Sequence, residues 1–197
     1  MTPETLRAAL ERSGAASSDF DLNPDVILPG RRILRDAAVL VPFVETERGL
    51  RLMLTKRSSK LRHHPGQIAF PGGKLDEGEG PVEAALREAR EEVGLPEGAA
   101  EILGTLPSHE TVTGFTVTPV VAQVAAFEPV PEPGEVQEVF TVPPDHVLRS
   151  ARFVVEKRRW RGEWRRYYAV PYGPYYIWGA TARILRGLAG RFDETDG

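Results

Sequence analysis

The chain has 197 residues, 41% hydrophobic and 27% charged, the balance of one soluble globular domain with room for a real core. Its formal net charge of −3 lacks the strong basic excess of a general nucleic-acid binder. With no cysteine, disulfides and thiolate zinc sites are excluded, and redox chemistry says nothing about compartment.

The opening run MTPETLRAALERSG has no basic leader and no apolar core, so it does not read as a secretory signal. Thr2 and Pro3 instead suit the cap and first position of a short amphipathic helix reaching about Arg12. Gly14 to Asp25 is small and polar and reads as a linker or a loop over the body. The expected organisation is an N-terminal helix and linker over 1–30, a main domain over 31–192 and a tail over 193–197. Asp36 to Glu45 holds the most notable apolar run and is much too short to span a bilayer, so no membrane contact and a cytoplasmic location are expected. Ala37–Val44 and Leu50–Lys56 flank Glu45–Gly49 as a hairpin, and Gln67–Phe70 follows as a short strand. Strands are expected at Glu101–Leu106, Phe115–Phe127 and Val136–Val142, then a helical turn over Pro143–Leu148. Phe153–Trp160 and Trp164–Val170 make a second hairpin, and a helix over Trp178–Leu188 closes the chain.

Between these strands lies the segment with most chemistry. Gly73 is followed by Glu79, Arg87, Glu88, Glu91, Glu92 and Gly94. Pro81 suits a first helical position and Gly94 a stop, while Val82, Ala85, Leu86 and Ala89 form an apolar stripe. Glu88 and Glu92 lie one helical turn apart on one side, with Glu91 beside them. A charged run such as REAREE is usually a solvated helix face. Like charges at neighbouring positions are unfavourable unless a positive partner sits among them, and a hard divalent cation bound through oxygens fits. Arg87 and Glu79 are placed to pair and fix the loop before the helix.

The spacing from Gly73 to Leu95 resembles the Nudix box without a departure: a glycine, five residues, a glutamate, seven residues, then Arg-Glu-aliphatic-x-Glu-Glu-x-Gly-aliphatic. The resemblance implies a Nudix fold, α/β with a mixed sheet in an α/β/α sandwich, an architecture the strand pattern alone does not specify. It also implies Mg²⁺- or Mn²⁺-dependent hydrolysis of a nucleoside diphosphate linked to another moiety. Carried over residue by residue, Glu88 and Glu92 would bind metal, and Glu91 would assist with metal or with the attacking water. A carboxylate on a distant loop often adds a ligand or base in this family. Glu135, after the Pro133-Gly134 turn, is the preferred candidate, with Glu138 behind it and a solvated acidic loop as the other reading.

Substrate class is read from the segment before the box. Met53-Leu54-Thr55-Lys56-Arg57-Ser58, Arg62, Gly66 and Phe70-Pro71-Gly72-Gly73 resemble the signature of the coenzyme A pyrophosphatase branch. Met53 in place of leucine is the one departure, a volume-conserving swap. The resemblance spans roughly residues 33–190, including Gly114–Val121, Glu135–Phe140 and Ile177–Thr181. It implies a small-molecule substrate, coenzyme A or a derivative, with Arg57 and Arg62 on phosphate oxygens and Gly66, Gly72 and Gly73 letting the backbone pass close to it. Ordinary surface placement is an equal reading for either arginine, and the more economical one for His63 and His64. Other expected readings are a hydrolase of ADP-ribose or NADH, and a nucleotide-sensing module without turnover.

Lys157 to Tyr168 interleaves basic and aromatic residues, a pattern that also occurs in RNA-binding surfaces. In a hairpin the same alternation arises when aromatics face the body and arginines face solvent, and the acidic net charge favours that reading. The stretch is also open to a homodimer contact or to the nucleotide end of the pocket.

Overall fold

The computed structural model describes residues 1–26, 32–160 and 162–193. The expected boundary at 30–31, Arg161 and residues 194–197 lie outside the described residues. In chain order the first elements are α1 (Pro3–Glu11), β1 (Ser17–Ser18), β2 (Arg35–Thr46), β3 (Gly49–Arg57), β4 (Ile68–Ala69) and β5 (Gly72–Lys74). Then come α2 (Pro81–Val93), β6 (Ala100–Thr105), β7 (His109–Glu110), β8 (Phe115–Val124) and β9 (Val136–Val142). The chain closes with α3 (Pro144–Val147), a 3₁₀ turn (Ser150–Arg152), β10 (Val154–Trp160), β11 (Glu163–Ala169) and α4 (Ala180–Asp193).

A mixed nine-stranded sheet forms the centre, and β10 and β11 make a separate antiparallel ribbon. β2 runs parallel to β8 from Arg35 to Val44. On its other edge β2 pairs with β3 only at the hairpin end, Phe43–Thr46. Further back β2 and β3 part, and β5 joins β2 at Ala37–Val39 while β4 joins β3 at Thr55–Lys56. That splaying brings Gly72 and Gly73 into the middle of the sheet.

Alternation along the central strands feeds two cores. On one face Val41, Phe43, Leu52 and Leu54 pack with Leu6 of α1 and Leu185 and Leu188 of α4. On the other, Ala38, Leu40 and Met53 pack with Ala85, Ala89 and Val93 of α2. The result is the expected mixed-sheet α/β/α sandwich.

The apolar stripe of α2 is rotated from the one expected. Ala84, Ala85, Ala89 and Val93 are buried, while Val82 and Leu86 are only partly so. Small alanines let the helix lie close to the sheet, and the same rotation carries Glu92 inward. β8 ends at Val124, three residues before the expected Phe127, and α4 runs on to Asp193. β1, β5 and β7 were not expected, because strands of two or three residues are too short to show a period.

The N-terminal segment is tied to the body. Thr2 Oγ1 accepts from Thr5 N at 3.3 Å, capping α1 as expected. Arg191 of α4 donates to Leu10 O at 2.9 Å. β1 pairs in parallel with β7, and the buried His109 sits between Ser17 Oγ (3.0 Å) and Asp19 Oδ1 (3.1 Å). Among the described residues no helix is long and apolar enough to cross a membrane.

Candidate active site

The site begins where β5 meets α2. Pro81 opens the helix, Glu83 accepts from Gly80 N at 2.8 Å, and Gly94 ends it in the left-handed conformation at φ 68°. Arg87 grips the loop between β5 and α2. Its Nε and Nη2 donate to the two oxygens of Glu79, each at 2.9 Å, and Nη2 also donates to Lys74 O at 3.0 Å. This paired fork is the contact expected from the spacing. Bonding to Arg87 and to the Asp76 backbone N–H holds Glu79 below the usual carboxylate range.

Of the two glycines of β5, Gly72 is required sterically and Gly73 makes room for a carboxylate. A Cβ on Gly72 would collide with Ala38 O of β2, and a Cβ on Gly73 would collide with the Glu88 carboxylate. Gly73 therefore leaves the space in which Glu88 stands. Gly72 N approaches Glu92 Oε2 at 3.4 Å. One tripeptide strand thus spaces two carboxylates of α2.

The three helix carboxylates occupy different environments. Glu92 is 4% exposed, and burial pushes its carboxyl up to about 8, with Arg57 opposing and Glu135 and Glu88 adding to the rise. Glu88 is also raised, first by burial, although it accepts from Arg87 Nη1 at 2.9 Å. Glu91 is 63% exposed, with Oε1 3.7 Å from Arg87 Nη1. Among the described residues no three His, Asp or Glu side chains stand converged as a ready-made metal site. Glu88 turns to Arg87 and Glu91 toward solvent, so the repulsion is relieved separately.

The donor chemistry nevertheless fits a hard divalent cation. Glu88 and Glu92 offer only oxygen ligands, and burial, which raises both pKa values, penalises their charge, a cost that a cation beside them would offset. Of the two loop candidates, Glu135 is exposed and its charge acts on both Glu88 and Glu92. Its backbone is fastened by Ser58 N, which donates to Glu135 O at 2.7 Å. Glu138 is engaged elsewhere, accepting from Tyr175, whose ring stacks on Phe140.

Next to these carboxylates lies a cavity of about 700 Å³. Arg57, Gly66 and Gly72 line it. Arg57 Nε is buried without a hydrogen-bond partner among the described residues. Gly66 N donates to Arg57 O at 3.1 Å, closing the loop that carries Arg62. His64 also lines the cavity, and burial and Arg57 hold its imidazole below the ordinary range. Arg62 is exposed and does not line it.

Comparison with known proteins agrees with this geometry. The family model for the NUDIX domain matches residues 34–163. The chain belongs to the Nudix hydrolase family. A Nudix hydrolase of Enterobacter sp. (strain 638), described as uncharacterized and named NudL, is 45% identical over 159 residues, covering 79% of this chain and 81% of the relative. Its counterpart in Cronobacter sakazakii is 44% identical over 163 residues, covering 81% and 84%. Among solved structures, the Nudix hydrolase RenU of M. smegmatis aligns at a TM-score of 0.50 and 27% identity, over 60% of this chain and 83% of that one.

In this Nudix hydrolase Arg57, Gly66 and Gly72 line one cavity, while Arg62, Gly73 and the carboxylates Glu88, Glu91, Glu92 and Glu135 do not line it. The hairpin follows its expected orientation in part: Tyr167 and Tyr168 are half-buried and Arg158, Arg159 and Arg166 exposed, while Trp164 and Arg165 depart from it. Trp164 is 63% exposed, while Arg158, Arg165, Arg166 and Tyr167 line the cavity. The guanidiniums are tolerated there because aromatic faces receive them: Arg158 lies 4.8 Å from the Trp178 ring centre and Arg165 5.5 Å from that of Phe20. The basic–aromatic interleaving was the available signal, and strand alternation alone does not say which face meets the pocket.

Proposed function

We propose that this Nudix hydrolase cleaves the diphosphate of coenzyme A or its derivatives, releasing 4′-phosphopantetheine and adenosine 3′,5′-bisphosphate. One observation carries the reading. The segment resembling the coenzyme A branch, Met53 to Gly73, supplies Arg57, Gly66 and Gly72 to a single cavity, and Gly72 is also in contact with Glu92.

Glu88, Glu92 and Glu91 would hold Mg²⁺ or Mn²⁺, which supplies neutralisation of the diphosphate charge and a lowered pKa for water beside it. The protein's own groups do the rest. Arg57, which lines the cavity, binds diphosphate oxygens through its guanidinium and stabilises charge developing there. Arg62, on the same loop, is the outer phosphate contact. Gly73 keeps Glu88 at its station, and the Arg87–Glu79 fork holds the loop between them. Water oxygen bonds to one phosphorus, the bridging P–O bond breaks, and the water proton passes to Glu91 or Glu135.

A panel of coenzyme A, acyl-coenzyme A, ADP-ribose and NADH, run with Mg²⁺ and with Mn²⁺, tests the reading. Coenzyme A or its acyl derivative should give the highest kcat/KM. Equal or faster turnover of ADP-ribose would overturn the substrate assignment, and binding with no turnover would favour a nucleotide-sensing module.

A further inference from the structure

Part of the cavity wall comes from residues that precede the family match. That match begins at residue 34, yet Asp19 belongs to the cavity lining. Asp19 sits in a short segment, residues 17–23, whose polar side chains at 19, 21 and 23 each reach a different element. Asp19 Oδ2 accepts from Val112 N at 2.8 Å, and Val112 lines the cavity with Thr111 and Thr113. Asp21 Oδ2 accepts from Arg183 Nε at 2.9 Å and lies 2.7 Å from its Nη2. Arg183 belongs to α4, which gives Thr181 and Ile184 to the lining. Asn23 takes the backbone of Arg166 in β11: its Oδ1 accepts from Arg166 N at 2.8 Å, and its Nδ2 donates to Arg166 O at 2.9 Å.

One short segment thus joins three walls that are far apart in sequence. The tie to β11 matters because the β10–β11 ribbon is a sheet of its own, separate from the central one. Asn23 supplies in one side chain the donor and the acceptor that a neighbouring strand would offer. The segment is itself firmly anchored. His109 is fully buried, and its two ring nitrogens lie 3.0 Å from Ser17 Oγ and 3.1 Å from Asp19 Oδ1. Lifting the segment away would strip both of these partners from a buried polar ring, which is costly. The three ties end on Val112, Arg183 and Arg166, away from Glu88, Glu92 and β5. Their effect therefore falls on the shape of the cavity and not on the reacting groups.

We propose that residues 17–23 are a strap across the substrate cavity, with Asp19, Asp21 and Asn23 as positioning residues that fix its walls. They set substrate affinity and take no part in bond breaking. The inference rests on the proposed function only in taking this cavity as the substrate's; it does not require that the substrate be coenzyme A.

Steady-state kinetics with Mg²⁺ on coenzyme A and on ADP-ribose test the strap. For whichever of the two wild type cleaves, Asp19→Ala and Asn23→Ala should each raise KM about fivefold and leave kcat within about twofold. Asp19→Asn should restore most of the wild-type KM, because its amide can still accept from Val112 N and can donate to His109 Nε2. A chain that merely folds less completely would instead lose apparent kcat at unchanged KM. Unchanged KM in both alanine variants, or a loss confined to kcat, would overturn the strap. Asp19→Asn as impaired as Asp19→Ala would make the charge responsible in place of the tie, and would overturn it too. Cleavage of ADP-ribose alone, with the rise in KM intact, would end the coenzyme A assignment and leave the strap standing.

Discussion

The β5–α2 segment sets charge beside the cavity, where Gly72 meets Glu92, and the β10–β11 ribbon brings charge to its lining, by opposite means. In β5–α2 the charges are negative, close in sequence and set by helix periodicity and two glycines. In the ribbon they are positive, about a hundred residues from Arg57, and reach the cavity only because the chain folds back over the sheet. Local geometry therefore sets the reactive carboxylates, and long-range packing sets what is presented to them. Chemistry and recognition can be changed independently as a result.

The comparison is broken most severely at Glu92. Glu92→Gln should lower kcat by roughly 10³-fold in a steady-state assay with saturating Mg²⁺. Near-native activity there, together with near-native activity of Glu91→Gln, would remove the carboxylate assignment. Gly73→Ala deletes no functional group but displaces the Glu88 carboxylate, so kcat should fall by about 10²-fold. A variant as active as wild type would mean that the position of Glu88 does not matter. Arg57→Ala should act mainly on KM, raising it about tenfold. Arg62→Ala should have the smaller effect, because Arg62 is exposed and outside the cavity lining.

The mildest effect is on stability and pH. Glu92 is raised in the folded chain, so its contribution is whole below the ordinary carboxylate range of about 4.3. That contribution is lost as pH rises through about 8. Metal-free wild type should therefore melt at a lower temperature near pH 8 than near pH 5, and Glu92→Gln should flatten this difference. Adding Mg²⁺ should raise the wild-type Tm at the higher pH and the variant's much less. Parallel melting curves for the two proteins across this range would show that burial of Glu92 does not govern the dependence.

How much was legible depended on the range over which each residue acts. The cap at Thr2, the stop at Gly94 and the Arg87–Glu79 fork are set by neighbours within a few residues, and each forms as its spacing predicts. β9 was readable to its ends because Val136–Val142 alternates against both a core and an edge. β5 was not readable, because three residues carry no period and their pairing depends on the parting of β2 and β3. Between Glu135 and Glu138 the sequence offered only the Pro133-Gly134 turn as a reason to prefer Glu135. The bond from Tyr175, 37 residues away, to the Glu138 carboxylate was closed to it.

By itself the sequence determined the carboxylate helix, its glycine stops and the family to which they belong, because a helix converts spacing directly into direction. Tertiary structure alone decided that Glu92 is buried while Glu91 is not, that Gly72 touches both cavity and carboxylate, and that the ribbon borders the cavity. Burial and facing depend on what packs against a surface, and that is fixed only when distant segments meet.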